Sequence, residues 1–234
     1  MNQGQIERNI AKVLRQVSTA AEKYARDGAA IRLLAVSKTQ PARVVRAAWA
    51  AGLRDFGENY LQEALGKIEA CADLNPCWHF IGPVQANKTR ALAAHFDWVH
   101  SIDRDKLLRR LSAQRAQARQ PLNICVQVNI SGEASKSGVR AEDLPALLDL
   151  ADELPGLRLR GLMAIPAPSE DFSRQKRAFD ALAELYRRAR REHPGMDTLS
   201  MGMSADLEAA IAAGSNLLRI GAALFGPRQA AARG

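Results

Sequence analysis

The chain has 234 residues, with 33 Lys and Arg against 25 Asp and Glu, and a formal net charge of +8. Hydrophobic residues make up 47% and charged residues 25%, which is typical of a folded globular protein and argues against disorder. No apolar run approaches the roughly 18 residues that a membrane helix requires, and the polar N-terminus does not resemble a secretory signal. The three cysteines are an odd number and predict free thiols, so we expect a cytoplasmic protein.

Short apolar runs alternate along the chain with segments of helical periodicity. The runs predict eight strands, at 31–36, 53–57, 78–82, 97–102, 122–130, 158–165, 197–202 and 216–221. The helical spacing predicts helices at 3–26, 41–51, 59–72, 87–95, 104–118, 141–153, 170–192 and 204–213. Because strands and helices alternate, we predict the α/β class and a single (β/α)8 barrel, or TIM barrel, with an extra N-terminal helix. A doubly wound open sheet is the alternative, but the first strand lacks the G-x-G-x-x-G that often follows it in nucleotide-binding sheets.

Several local patterns give more specific expectations. Segment 170–192 should bury one apolar stripe, formed by Phe172, Phe179, Leu182 and Tyr186. Ser204 is predicted to cap the helix that it opens. Glu58 could act as a base or cap the following helix, and we favour the cap. Cys71 and Cys77 are expected in a loop, and the four histidines lack the paired spacing of a metal site, so no metal is expected.

Lys38 comes directly after the first predicted strand. In barrels of this kind the active face lies at the C-terminal ends of the strands, and Lys38 shares its strand face with Leu34 and Val36. Desolvation at an apolar barrel mouth favours the neutral amine, which attacks carbonyl carbons. Lys38 is therefore a candidate Schiff-base lysine, with a surface lysine at a strand end as the alternative.

The last two strands of the predicted barrel end in glycine-containing turns. The loops after strands 7 and 8 are the recurring phosphate site of such barrels, and here they carry Gly202, Met203 and Ser204, then Gly221 and Ala222. A helix cap and two turn glycines are the alternative interpretation. A lysine and a phosphate cradle at one barrel mouth suit pyridoxal 5′-phosphate (PLP), which offers an aldehyde to the first and a phosphate to the second. Arg219 would then lie inside the barrel, where its charge would disfavour protonation of the pyridine nitrogen.

Six separated motifs carry a resemblance to a known family: AVSKTQP, DFGENYLQE, WHFIGPVQANK, VNISGEASKSG, RLRGLMAIPAP and LSMGMSADLEAAIAAGSNLLRIGAALFG. In this order they closely resemble the pyridoxal phosphate homeostasis proteins (the YggS/PROSC family), from about residue 31 to 227. The resemblance implies a type III PLP fold like the N-terminal domain of alanine racemases, with PLP bound to Lys38 as an internal aldimine. It also implies cofactor contacts from Asn59, Met203, Ser204, Arg219, Gly221 and Ala222.

Two positions depart from the family pattern. Ala222 stands where members often have Ser or Thr, so one hydroxyl contact to the phosphate is missing. Gln40 stands where members often have a second lysine, which puts any role of that lysine in doubt, whereas Lys136 is present.

The resemblance implies a protein that binds PLP and buffers it or delivers it to apo PLP enzymes, without robust catalytic activity. The alternative is an amino-acid racemase of weak activity, but no C-terminal β domain is expected after the barrel. The Arg-rich segments overlie apolar helical stripes, so we expect solvated helix faces rather than a nucleic-acid groove. We further expect a monomer that does not bind membranes. The expected organisation is an N-terminal helix packed on the barrel (1–28), the PLP-binding barrel (29–228) and a frayed tail (229–234).

Overall fold

A computed structural model describes residues 2–115, 119–131 and 137–226. Its eight strands are β1 (Arg32–Val36), β2 (Asp55–Glu58), β3 (Cys77–Phe80), β4 (Trp98–Ile102), β5 (Leu122–Gln127), β6 (Leu157–Met163), β7 (Thr198–Ser200) and β8 (Leu217–Ile220). The α-helices of these ranges are α1 (Gln3–Lys23), α2 (Ala42–Ala50), α3 (Leu61–Ala70), α4 (Thr89–His95), α5 (Asp105–Gln114), α6 (Leu144–Glu153), α7 (Phe172–Glu192), α8 (Leu207–Ala212) and α9 (Ala222–Phe225).

The strands form one closed parallel barrel in chain order, in which β1 pairs with β8 as well as with β2. The prediction of a (β/α)8 barrel is confirmed, and the open sheet is excluded because the first and last strands are hydrogen-bonded neighbours. Outward-facing residues of the strands pack against the helices in one large apolar core. No helix in the described ranges is long and apolar enough to cross a membrane.

Helix α1 packs against the end of the barrel chain. Its apolar stripe is buried and consists of Ile6, Ile10, Val13, Val17, Ala20 and Ala21. The Asn9 amide donates to the Leu224 carbonyl oxygen in α9 at 2.8 Å, while Lys23 and Tyr24 donate to the Glu208 carboxylate in α8 at 2.7 and 3.0 Å. The extra N-terminal helix therefore supports the last two strand–helix units, which carry the predicted phosphate loops.

Two expectations about helices are wrong in part. Phe172 does not join the buried stripe of α7, because it is 37% exposed at the first turn and stacks on Tyr24 with 6.3 Å between ring centroids. Ser204 does not cap α8, because 204–206 form a turn in which the Met203 N–H donates to the Asp206 carboxylate. The N-cap of α8 is consequently Asp206. The expected tail at 229–234 and Lys136 lie outside the described residues.

Candidate functional site

One cavity of about 290 Å³ opens at the C-terminal ends of the strands. All seven residues predicted to bind the cofactor line it: Lys38, Asn59, Met203, Ser204, Arg219, Gly221 and Ala222. These side chains and backbone segments come from the ends of β1, β2, β7 and β8. Apolar walls are supplied by Val36, Ile81 and Ile165, which the sequence reasoning did not single out as site residues.

A buried charge cluster fixes the backbone on both sides of Lys38. The Glu58 carboxylate accepts hydrogen bonds from Ser37 Oγ at 2.6 Å and from Lys67 Nζ at 2.7 Å. Lys67 Nζ also donates to the Ser37 carbonyl oxygen at 2.7 Å and to Glu63. Glu63 in turn accepts the Thr39 N–H at 2.6 Å. We call Glu58, Glu63 and Lys67 the lysine clamp, because they hold the residues before and after Lys38.

The preference for Glu58 as a helix cap is therefore wrong. Glu58 is fully buried at the end of β2, and α3 begins after Tyr60 without a side-chain cap bond. Burial raises the pKa of the Glu58 carboxyl, partly opposed by the attraction and hydrogen bond of Lys67. The residue pairs with Lys67 because an ionised carboxylate in this position needs a buried cation.

Arg219 crosses the floor of the cavity from β8. Its guanidinium donates to the Ser200 carbonyl oxygen at 2.6 Å, to Ser200 Oγ at 2.9 Å and to the Ala164 carbonyl oxygen at 2.8 Å. Burial lowers the pKa of Arg219 to about 10, which still leaves the group protonated at neutral pH. Because these acceptors are uncharged, the positive charge of Arg219 is not neutralised by them and faces the cavity.

A chain of hydrogen bonds continues from Arg219 through the barrel interior. Ser200 Oγ lies 3.1 Å from His100 Nδ1, His100 Nε2 lies 2.9 Å from His79 Nδ1, and His79 Nε2 lies 2.9 Å from Asp55 Oδ1. The Ser200–His100 bond joins β7 to β4, which are not neighbours, so it crosses the interior. We call Arg219, Ser200, His100, His79 and Asp55 the histidine chain.

The donors of this chain can be assigned from its two ends. A guanidinium only donates and a carboxylate only accepts, so Ser200 Oγ accepts from Arg219 and His79 carries its proton on Nε2. His79 Nδ1 must then accept from His100 Nε2, and His100 Nδ1 accepts the Ser200 hydroxyl proton. Burial lowers the pKa of both histidines, that of His100 most strongly, which agrees with two neutral rings.

The two predicted phosphate loops are in direct contact. The Ala223 N–H donates to Ser204 Oγ at 3.3 Å, which joins the turn after β7 to the first turn of α9. Gly202 starts the first of these loops with φ +95°, and a Cβ there would lie 2.5 Å from Ala210 Cβ. A side chain at Gly202 is thus excluded by both backbone conformation and space, and this fixes the path of the chain into Ser204.

Asn59 presents an unsatisfied acceptor to the cavity. Its buried Oδ1 has no hydrogen-bond partner within the described part of the chain, and a buried polar atom usually has one. Its backbone is held against Gly82, where a Cβ would come within 2.3 Å of the Asn59 carbonyl oxygen. An orphaned acceptor, a half-buried lysine and a buried cation in one apolar-walled cavity fit a ligand with several polar groups, as PLP has.

The histidine chain is one feature that the sequence did not predict. The four histidines lack paired spacing in the sequence, and His79 and His100 lie 21 positions apart. The period of two on β3 and β4 could have placed both rings on inward faces. Their contact could be inferred only together with the strand order of the barrel, in which β3 and β4 are neighbours.

The comparisons with known proteins agree with the fold. A family model described as "Alanine racemase, N-terminal domain" matches residues 3–229. Alanine racemase from Corynebacterium glutamicum superposes with a TM-score of 0.73, covering 99% of this chain and 64% of that chain at 15% identity. The fold and the matched family define a barrel protein of the alanine racemase N-terminal domain class.

Two more similar proteins narrow this class. The "Pyridoxal phosphate homeostasis protein" of Pseudomonas aeruginosa is 60% identical over 223 residues, which are 95% of this chain and 96% of that protein. PipY of Synechococcus elongatus, solved with PLP bound, is 32% identical with a TM-score of 0.82 and covers 94% of this chain and 100% of its own. The chain belongs to the pyridoxal phosphate homeostasis proteins.

Proposed function

We propose that the chain binds PLP in the cavity at the barrel mouth and serves PLP homeostasis by holding and releasing it. The observation that carries this proposal is the meeting of Lys38, Arg219, Asn59 and the two loops around one cavity of about 290 Å³. The names of the 60% identical relative and of the PLP-bound PipY structure support the same ligand.

Each group in the cavity suits one part of PLP. The Lys38 amine would hold the aldehyde carbon of the ligand covalently as a Schiff base, with loss of water. Arg219 would supply a positive charge for the ring nitrogen, and Asn59 would offer its unpaired oxygen to a ring substituent. Ser204 and the backbone N–H groups of Gly221 and Ala222 hold the phosphate, and Ala222 contributes no hydroxyl. Met203 lines the cavity beside them, while its own N–H is donated to Asp206. PLP supplies an aldehyde and an aromatic ring that can accept electrons.

The same arrangement favours storage over turnover. A permanent positive charge at the ring nitrogen disfavours its protonation, and the unprotonated ring is the weaker electron acceptor. The relatives are named as homeostasis proteins, which does not favour the alternative of a weak racemase. We propose a cytoplasmic monomer without nucleic-acid or membrane partners, which passes PLP to apo PLP enzymes.

The first experiment tests the covalent site. The full chain is saturated with PLP, dialysed, and its visible absorbance and intact mass are compared with those of Lys38→Ala. We expect a yellow protein whose mass rises by one PLP after borohydride reduction, and a colourless, unlabelled Lys38→Ala. Lys106→Ala removes an exposed lysine and should behave as the unmodified chain. A coloured, labelled Lys38→Ala would place the attachment elsewhere.

The second experiment separates a carrier from an enzyme. The PLP-loaded chain is mixed with an apo PLP enzyme, and the recovered activity of that enzyme is followed over time. The loaded chain alone is incubated with D- and L-alanine, and its racemisation is measured by chiral chromatography. A carrier transfers PLP and leaves alanine unchanged, whereas racemisation at an enzyme's ordinary rate without transfer would contradict the proposal.

A further inference from the structure

The N-terminal end of the barrel, opposite the PLP cavity, carries a cluster of three side chains with metal-ligand chemistry. Asp55 starts β2 and Cys77 starts β3, and the two are register partners across the sheet. His79 follows two residues later on the same face of β3. Within the described ranges, Asp55 Oδ1, Cys77 Sγ and one His79 ring nitrogen all lie within 4.8 Å of one another. Cys77 therefore belongs to a strand, and the expectation of a loop there is wrong.

Two distances in the cluster are close to those of a tetrahedral site. His79 Nε2 lies 2.9 Å from Asp55 Oδ1 and 3.3 Å from Cys77 Sγ. Zinc–nitrogen and zinc–sulfur bonds of about 2.0–2.3 Å place adjacent tetrahedral ligands roughly 3.3–3.7 Å apart. The two contacts of His79 Nε2 therefore need to lengthen by only a few tenths of an ångström to match ligands around an ion, and the third pair of atoms lies within 4.8 Å.

The cluster is reachable and can compensate the charge of an ion. His79 is fully buried, but the Asp55 side chain is 24% exposed and Cys77 is half-buried, so the open side of the cluster faces the lower rim of the barrel. A thiolate and a carboxylate together balance a divalent cation. The other charged groups that act on the cluster are Arg32, which opposes a cation, and Asp97, which favours one.

The geometry points to a zinc-type divalent cation site formed by Asp55 Oδ1, Cys77 Sγ and His79 Nε2, with a fourth position open to water. A set of one thiolate, one imidazole and one carboxylate suits Zn²⁺, whereas Mg²⁺ takes oxygen ligands. On binding, the Cys77 thiol proton is released to solvent and the sulfur–metal bond forms. The proposed metal site lies at the other end of the barrel, so its existence requires neither Lys38 nor the proposed function.

An ion bound at this site would change the hydrogen bonds beneath the PLP cavity through the histidine chain. An ion on His79 Nε2 leaves Nδ1 as the only place for the ring proton, so His79 becomes the donor to His100 Nε2. His100 must then carry its proton on Nδ1 and donate to Ser200 Oγ. The Ser200 hydroxyl oxygen would then accept from both His100 and Arg219. The His79–His100 and His100–Ser200 bonds would reverse their direction, while Arg219 would still donate to Ser200.

Zinc binding to the untagged, PLP-loaded chain tests this site. Isothermal titration and elemental analysis should give one Zn²⁺ per chain, and Mg²⁺ should give no heat of binding at the same concentration. Cys77→Ser and Asp55→Asn should each weaken zinc binding at least tenfold. Cys71→Ser changes a buried cysteine at the end of α3 that contacts the Ala42 carbonyl oxygen and is not one of the three ligands, and this variant should bind zinc as the unmodified chain does. Lys38→Ala should also retain zinc, which excludes PLP as the chelator.

A direct spectroscopic measurement covers the case in which a variant fails to fold. Co²⁺ added to the unmodified chain should produce a thiolate-to-cobalt charge-transfer band and the intense visible bands of tetrahedral coordination. Failure to bind one equivalent of Zn²⁺, or a cobalt complex without the thiolate band, would overturn the proposal. Equal zinc affinity of Cys77→Ser, Asp55→Asn and the unmodified chain would do so as well.

Discussion

Lys67 Nζ lies 2.7 Å from the carbonyl oxygen of Ser37, the residue that immediately precedes Lys38. Both Lys67 and its partner Glu58 are nearly inaccessible, with side-chain exposures of 5% and 0%. This hydrogen bond fixes the end of β1 relative to α3. The orientation of the proposed PLP-binding lysine therefore depends on a helix whose own side chains do not have to touch the ligand.

Replacing Lys67 should destabilise the fold and weaken PLP binding together. Lys67→Met leaves the Glu58 charge buried without a cation, which typically costs about 3–5 kcal/mol, and it frees the Ser37 carbonyl. The measurement is urea unfolding combined with PLP titration. The matched control is Lys176→Met, which breaks an exposed ion pair with Asp180 and should change the free energy of unfolding by less than about 0.5 kcal/mol.

The double variant identifies the cause of that loss. Lys67→Met with Glu58→Gln removes both charges, so part of the stability should return, while the Ser37 carbonyl remains without its donor. Stability should thus recover more than PLP affinity does. A double variant as unstable as Lys67→Met would contradict the role assigned to the buried charge.

Ser204→Ala should weaken PLP selectively over pyridoxal. A hydroxyl donated to a charged phosphate is worth about 1.5–3 kcal/mol, which corresponds to roughly tenfold or more in the dissociation constant of PLP. Pyridoxal has no phosphate and should bind Ser204→Ala and the unmodified chain equally. Titrations of both ligands by absorbance give the comparison, and Ser173→Ala, an exposed serine in α7, serves as the control. Equal losses for the two ligands would argue against Ser204 as a phosphate contact.

Arg219→Gln should raise the pKa of the ring nitrogen of bound PLP. Removal of a nearby positive charge shifts such a group by about one to three pKa units, and Gln can still donate to Ser200. The visible spectrum of the PLP-loaded variant should therefore change between pH 5 and 8, where that of the unmodified chain stays constant. Identical pH behaviour of the two spectra would mean that Arg219 does not face the ring nitrogen.

The two neutral histidines of the barrel interior predict acid sensitivity. The pKa values of His79 and His100 are lowered by burial, so below about pH 6.5 the unfolded chain binds protons that the folded chain does not. Stability should fall with decreasing pH by about 1.4 kcal/mol per pH unit for each ring. Urea unfolding in a metal chelator between pH 7.5 and 5.5 measures this slope.

His100→Gln separates this effect from other titrating groups, including Glu58, whose raised pKa has the opposite sign. The variant should lose one ring's share of the slope, whereas His95→Gln, at an exposed position, should keep the full slope. If His100→Gln and the unmodified chain lost stability in parallel on acidification, the neutral pair would be contradicted.

The periodicity of the sequence was sufficient for the barrel, because each of the eight apolar runs became a strand. The carboxyl ends of all strands of a barrel meet at one mouth. The sequence alone could therefore predict that Lys38 and Arg219 lie close together. The lysine clamp was not found, because Lys67 lies on a helix and its contact with Ser37 depends on how α3 leans on the barrel. The predicted start of the helix at Ser204 was also wrong, because a short turn precedes α8 and Asp206 is its N-cap.

The residues at the floor of the cavity determine how a ligand can enter and leave it. Arg219 and the paired rings of His79 and His100 lie in the interior beneath it, so among the described residues the barrel interior is closed below the cavity. Whatever enters the cavity must leave by the same opening, past the exposed side chains of Ile165 and Met203. A ligand can therefore enter only after the bound ligand has left, because both use the same opening and neither can pass the cavity floor.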